Sequence, residues 1–176
     1  MRLKLIWVML LGAAIIAITA QYTKPVLATP AVGFVGTTLA RGRFGDINVF
    51  NHLVPKGQSQ QHGSDVWLSL QKTKGLSDVY VQNNVWVPGG TSGWHTHPGH
   101  SLIIVTAGTV TTYEADDPEC TPHTYTVGMG IVDPGGGHVH NIRNEGTEEA
   151  RTITVQTIPA DATRRIDAAD PGHCPF

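Results

Sequence analysis

The sequence carries little charge of either sign and no concentration of positive charge. Of its 176 residues 15% are charged, the 12 Lys and Arg residues are scattered, and the formal net charge is −2. Because proteins that follow a phosphate backbone need clustered Lys and Arg, we expect no nucleic-acid partner. The hydrophobic share is 40%. Over this length that supports one domain with a proper core, and it is too little for two.

Sustained helical periodicity is also missing. Apolar and polar residues instead alternate in short runs, separated by turns that draw on 20 Gly and 11 Pro. Examples are residues 32–39, 47–54 and 78–87, the last ended by Pro88-Gly89-Gly90. About ten short strands at regular spacing predict an all-β sandwich or closed barrel.

The first 28 residues have the composition of an export segment. Arg2 and Lys4 precede an uncharged apolar run over residues 5–20, and Ala28 or Ala20 could end the segment at a cleavage site. We predict a signal peptide over residues 1–28 and a single domain over 29–176. An uncleaved membrane anchor is the alternative, although the run is shorter than the ~20 apolar residues of a membrane span. Either way we expect the domain outside the cytoplasm, periplasmic or extracellular, with no other membrane contact.

Cysteine is scarce, with two residues in the whole chain. In an oxidising compartment an even count favours one disulfide, Cys120–Cys174. Such a bond would anchor the polar C-terminal tail. Thiolate metal ligation is the alternative, but neither cysteine lies near the histidine-rich segments.

Histidine is abundant, with nine residues, and two segments pair histidines at a spacing of two. His95 and His97 follow a glycine-rich stretch, and His138 and His140 follow Pro134-Gly135-Gly136-Gly137. On a strand, residues two apart point to the same face, so each pair can present two imidazoles to one ion. Neutral imidazole nitrogens suit Zn, Cu, Fe, Ni or Mn. We therefore predict one divalent transition metal, of undetermined identity, on His95, His97 and His140.

Asp133, just before the second pair, admits two interpretations. Its carboxylate could accept a hydrogen bond from a ligand imidazole. It could equally form the turn that precedes Pro134.

These two segments resemble the paired motifs of the cupin superfamily. The first motif places a glycine before His-x-His and a second glycine after it, and it is matched by Gly89, His95, His97 and Gly108. The second motif is matched, with one extra residue before its histidine, by Gly128, Pro134, Gly136, His140 and Asn144. The resemblance implies a double-stranded β-helix (jelly-roll) barrel, one metal on His95, His97 and His140, and often a homodimer.

One motif position departs from the family. Ser101 stands where a cupin usually has its glutamate ligand, and a hydroxyl does not replace the charge of a carboxylate. Three outcomes follow: a three-histidine site with open positions, a fourth nitrogen from His100 or His138, or a barrel without metal. We favour the first, since open coordination positions are what catalysis at a metal needs.

Two functions follow from this site. One is a metal-dependent oxygenase or isomerase acting on a small organic molecule. The other is a non-catalytic module that binds or senses a metal or a small ligand. A purely structural exported barrel is a third and weaker hypothesis.

Overall fold

The computed structural model of the chain describes residues 27–53 and 67–176. These two stretches contain strands, bridges, turns and bends but no helix. Within them, no helix has the length and apolar character needed to span a membrane. The predicted export segment lies almost entirely outside the described residues, since residues 1–26 are not among them.

Twelve strands follow one another within residues 27–53 and 67–176. They are β1 Val32–Phe44, β2 Asn48–Leu53, β3 Trp67–Lys72, β4 Ser77–Thr91, β5 His95–Thr96, β6 Ser101–Ala107, β7 Thr109–Glu114, β8 His123–Thr126, β9 Gly130–Asp133, β10 His140–Arg143, β11 Ala150–Pro159 and β12 Ile166–Asp167.

Ten of these strands form one antiparallel sheet. Its order is β12-β5-β10-β4-β11-β6-β9, with β1 alongside β4, and with β7 joining β10 to β8. Strands β2 and β3 form a separate two-stranded sheet. The all-β prediction is confirmed, and so is the double-stranded β-helix into which the large sheet curls.

Strand β4 is longer than its sequence predicts. The expected end at Val87 is wrong, because β4 continues to Thr91. Thr91 still pairs with Val32 of β1 and with Arg143 of β10. A register shift in β1 leaves residues 87–90 without β1 partners. Pro88, which has no N–H to donate, is tolerated on this edge, whereas Gly89 and Gly90 bond to the backbone of Asn144 on the other side.

The barrel interior changes from apolar at one end to polar at the other. Along β6 the inward residues run from Ser101 through Ile103 to Val105, and β11 contributes polar Gln156 and Thr154 beside Ser101 and Ile103. The apolar end is a core of Trp86, Ile103, Val105, Val110, Ile131, Ile142 and Ala150. Burial of these side chains drives folding, and the polar end is where the paired histidines lie.

A disulfide between Cys120 and Cys174 confirms the predicted pairing. It belongs to a second buried cluster with Trp94 and Tyr113. The ring of Phe176, two residues beyond Cys174, lies 4.7 Å from that of Tyr113. The bond thus fastens the C-terminal tail against the barrel.

Candidate metal centre

Two short strands bring the paired histidines together. His95 begins β5 and His140 begins β10, and the antiparallel register places these two residues directly opposite each other. His97 follows β5 by one residue, and its carbonyl accepts a 2.8 Å hydrogen bond from the N–H of Gly136. The glycine turn of the second motif is therefore bonded to the histidine pair of the first.

The three imidazoles converge at the polar end of the barrel. Ring centroids are 4.4 Å apart for His95 and His140, 4.9 Å for His95 and His97, and 5.6 Å for His97 and His140. Each offers one nitrogen such that all three lie within 4.8 Å of one another. Two ligand atoms on opposite sides of an ion with ~2.1 Å bonds are about 4.2 Å apart. A small adjustment of the side chains brings all three to one ion.

Hydrogen bonds set the tautomers of two of these rings. Nδ1 of His95 lies 2.8 Å from the carbonyl oxygen of Gly93, and Nδ1 of His97 faces the carbonyl oxygen of Arg164. Because a carbonyl only accepts, each Nδ1 carries the proton and donates it, which leaves Nε2 with a free lone pair. Nδ1 of His140 is buried and has no hydrogen-bond partner among the residues that the structure describes.

Burial keeps these histidines neutral at physiological pH. Burial, helped by the nearby His140, lowers the pKa of His95 to about 2. Burial also lowers the pKa of His140, although the neighbouring carboxylate of Asp133 opposes the shift. The pKa of His97 is lowered for the same first reason, against the hydrogen bond to Arg164. Only a neutral imidazole can ligate a metal, so the donor set fits a divalent transition metal.

The remaining candidates from the sequence lie in different places. His138 lies near the cluster, with its ring 6.0 Å from that of His140, but its Nε2 is 3.1 Å from a carboxylate oxygen of Glu114. His100 lines different cavities, among the residues of β3 and β11, and is not part of the cluster. Ser101 is buried at the cluster's edge, where its hydroxyl donates to Asp133. The ligand set itself stays a prediction.

A cavity of about 90 Å³ opens beside the three imidazoles. Its polar lining includes Gln156 and Arg164, which the sequence analysis did not identify. Nε of Arg164 donates to Oε1 of Gln156 at 3.2 Å, and its guanidinium lies 4.1 Å from the ring centroid of Tyr80. No local pattern marks Arg164, because it reaches the cavity only where the C-terminal segment returns to the barrel.

Residues 85–156 match the family model described as "Cupin domain". The match spans both histidine segments and the strands between them. No curated protein sequence matches the chain significantly.

Several solved structures are similar over about half of the chain. The polyketide cyclase RemF from Streptomyces resistomycificus is 19% identical, with 53% of this chain and 64% of that chain covered and a TM-score of 0.43. An uncharacterized conserved protein with a double-stranded β-helix domain from Klebsiella pneumoniae is 22% identical, with coverages of 53% and 70% and a TM-score of 0.42. An oxalate oxidase is 22% identical, with coverages of 47% and 46% and a TM-score of 0.39. The chain thus spans less than two thirds of the cyclase and of the oxidase.

Proposed function

Because the chain belongs to the cupin superfamily, we propose that it binds one divalent transition-metal ion on His95, His97 and His140. The observation that carries this proposal is the approach of three imidazole nitrogens to within 4.8 Å of one another. The buried, unpartnered Nδ1 of His140 adds to it, since a buried polar atom without a partner is costly unless a ligand satisfies it.

Metal titration of the purified, untagged protein tests the proposal. We expect one equivalent of Co(II) or Zn(II) to bind, and His95→Ala, His97→Ala and His140→Ala each to weaken binding at least about 10-fold. His123→Ala is the matched control, since His123 is exposed on β8 and lies outside the cluster. A triple histidine variant that still binds one equivalent at the parent affinity would overturn the proposal.

We further propose that the bound ion serves a reaction, of oxygenase or isomerase type, on a small organic molecule. When bound, the ion would supply Lewis acidity at a substrate oxygen. The cavity volume of about 90 Å³ limits the ligand to a few non-hydrogen atoms beside the site, since pockets for drug-sized ligands are several times larger. The lining is rich in hydrogen-bonding groups, which favours a polar ligand.

Arg164 supports a ligand that carries a carboxylate. Its neighbour Arg165 already pairs with Asp167, whereas Arg164 has no carboxylate partner within residues 27–53 and 67–176. The guanidinium is held instead by Gln156, by Thr38 and by the ring of Tyr80. A positioned cation with unused donors is suited to bind and orient an anionic substrate group.

Substrate screening with Fe(II), Cu(II) and Mn(II) forms tests the enzymatic part. We expect turnover of at least one small carboxylate, with oxygen uptake if the reaction is an oxygenation. Arg164→Gln should raise KM at least about 10-fold, because a hydrogen bond to a charged group contributes ~1.5–3 kcal/mol. Arg151→Gln is the control, since Arg151 is exposed on β11 and pairs with Glu149. An equal response of both variants would contradict the role of Arg164.

Non-catalytic binding is the second candidate function, and it is motivated by Ser101 in place of the family's glutamate ligand. A protein of this kind would bind metal and a small anion with the same residues and convert neither. Tight, saturable binding of small carboxylates to the metal-loaded protein, with no product in any metal form, is the outcome that selects this function.

We propose that the domain works outside the cytoplasm. Support comes from the disulfide between Cys120 and Cys174, since such bonds persist in oxidising compartments, and from the composition of residues 1–28. Expression of the full chain, followed by N-terminal sequencing of the exported protein, tests this. We expect a new N-terminus after Ala20 or Ala28, and retention of Met1 in a cytoplasmic fraction would contradict export.

A homodimer is the partner that we propose. Exposed apolar side chains on the outer face of β6, β9 and β11 support it, and register pairs Leu102 with both Val132 and Val155. Contiguous apolar surface of this kind commonly marks an interface. Light scattering should report twice the chain mass, and Leu102→Asp should shift the protein to monomer.

A further inference from the structure

The carboxylate that the first cupin motif lacks has a counterpart across the sheet. Ser101, at the position where the family carries glutamate, begins β6, and the antiparallel register pairs it with Asp133 at the end of β9. The Ser101 hydroxyl donates a 3.1 Å hydrogen bond to Oδ2 of Asp133. Both residues are buried, with exposed fractions of 1% and 4%. A carboxylate is therefore present beside the vacant motif position, on the facing strand.

This carboxylate is directed at the histidines. Its Oδ2 lies 3.9 Å from Nε2 of His97, and its Oδ1 lies 3.7 Å from Nδ1 of His140. Both separations are longer than the ~3.2 Å limit of an ordinary hydrogen bond. Both are shorter than the ~4.2 Å that can separate two ligands of one ion with ~2.1 Å bonds. Each pair is thus close enough to share an ion. A ligand atom of Asp133 lies within 4.8 Å of those of His138 and His140, whereas the group formed by His95, His97 and His140 does not include Asp133. Ligation together with all three imidazoles therefore needs a movement of the Asp133 side chain.

The charge of Asp133 has no other compensation in the described part of the chain. Within residues 27–53 and 67–176 its only ion-pair partners are His97 and His140, at 3.9 Å and 3.7 Å, and no Lys or Arg side chain pairs with it. Its remaining contacts are neutral donors, the Ser101 hydroxyl and the N–H of Gly135 at 2.9 Å. A buried carboxylate is costly unless a cation lies close to it.

The surrounding hydrogen bonds hold Ser101 as a donor rather than as a ligand. Gln156 donates from Nε2 to the Ser101 oxygen at 3.4 Å, and Oε1 of Gln156 accepts from Arg164. The Ser101 oxygen thus receives one hydrogen bond and directs its own proton to Asp133. The serine supports the carboxylate that faces it.

We propose that Asp133 supplies the anionic ligand of the metal centre in place of the usual glutamate. The ion would then be held by three imidazoles and one carboxylate, and its charge would be partly neutralised inside the barrel. This inference rests on the proposed metal function of His95, His97 and His140. The inference assigns Asp133 to metal ligation, and the turn in which its Oδ1 accepts from the N–H of Gly135 holds the carboxylate in place. His138 stays paired with Glu114.

Co(II) binding to Asp133→Asn tests the inference. Asparagine keeps the size of the side chain and an oxygen for the Gly135 N–H. It removes the charge and replaces Oδ2, the acceptor of the Ser101 hydroxyl, with an NH2 donor. We expect affinity to fall at least about 10-fold and the visible absorption of the Co(II) form to change. Asp170→Asn is the matched control, because Oδ1 of Asp170 accepts from the N–H of Gly172 in the same turn geometry, far along the exposed tail. This control should bind as the parent does.

A second variant returns the carboxylate to the family's position. Ser101→Glu combined with Asp133→Asn should recover most of the lost Co(II) affinity. If Asp133→Asn does not fold, Asp133→Ser replaces it in the same comparison, since a hydroxyl can still accept from Gly135. Parent-like affinity and spectrum in a folded Asp133 variant would overturn the inference. If His97→Ala also binds as the parent does, the proposed metal function fails as well; if His97→Ala alone loses binding, only the role of Asp133 fails.

Discussion

Nδ1 of His97 hydrogen-bonds to the carbonyl oxygen of Arg164, a residue 67 positions further along the chain. The bond ties the loop after β5 to the segment that leads into β12. It also fixes which ring nitrogen faces the other imidazoles, as the bond from His95 to Gly93 does for its own ring. The return of the C-terminal segment to the barrel therefore orients one of the histidines and places Arg164 in the lining of the cavity beside it.

The tautomers of His95 and His97 are the first prediction. In the metal-free protein at pH 7 both rings should be neutral and protonated at Nδ1, because each Nδ1 donates to a backbone carbonyl. Long-range ¹H–¹⁵N correlation spectra of the imidazoles report this directly. A protonated Nε2 on either buried ring would contradict the hydrogen bonds.

The stability of the metal-free protein should fall in acid, because the pKa values of three buried histidines are lowered in the folded state. Burial lowers the pKa of His95 to about 2 and also lowers those of His97 and His140. In the unfolded chain these three imidazoles bind protons near pH 6.5, and in the folded protein they do not. Their contribution to the free energy of unfolding is therefore complete above pH 6.5. It is lost as the pH falls toward the pKa values of the folded protein, at up to ~1.4 kcal/mol per pH unit for each histidine.

Urea unfolding at several pH values between 7 and 4.5 measures this slope. A variant with His95, His97 and His140 all changed to Asn should show a shallower slope over the same range. His123→Asn, changed on the exposed surface of β8, should keep the parent slope. Equal slopes for the parent and the triple variant would refute the assignment to the buried rings.

Loss of the disulfide should destabilise the domain and free its tail. Cys120 and Cys174 close a loop of 54 residues, for which loop entropy alone gives an upper value of ~4 kcal/mol. Cys120→Ser with Cys174→Ser should therefore lower the free energy of unfolding by up to that amount. The Phe176 ring, packed near Trp94 and Tyr113, should lose its contacts. Denaturation of oxidised and reduced parent provides the control, and a reduced parent as stable as the oxidised one would refute the effect.

Two motif glycines should respond differently to alanine. Gly108 has a φ of +63°, and a Cβ there would lie 2.6 Å from the carbonyl oxygen of Glu149. Gly128 has a φ of +88°, but a Cβ there would meet no atom of the described part of the chain within 4 Å. Both variants incur backbone strain, and only Gly108→Ala adds a collision with backbone. Gly108→Ala should cost at least about 1 kcal/mol more than Gly128→Ala in thermal unfolding, and equal losses would contradict this account.

Local patterns were sufficient to predict the strand-rich fold and the two histidine segments. His-x-His on a strand places two rings on one face whatever the rest of the chain does, and a Gly/Pro turn before each pair starts the strand. The same reasoning predicted too early an end for β4. The sequence of Pro88-Gly89-Gly90 does not reveal that β10 and the first residue of β1 still pair with Thr91.

Periodicity, turn residues and cysteine count thus carried enough information for an all-β barrel, for the three imidazoles and for the Cys120–Cys174 bond, because each depends on neighbours along the chain or on a single pairing option. The roles proposed for Asp133 and Arg164 depend on cross-strand register and on the path of the C-terminal segment. Ser101 faces Asp133 only because β6 pairs with β9 in one register, and Arg164 reaches the cavity only because β12 pairs with β5. Such contacts arise from long-range packing, which no local pattern of residues encodes.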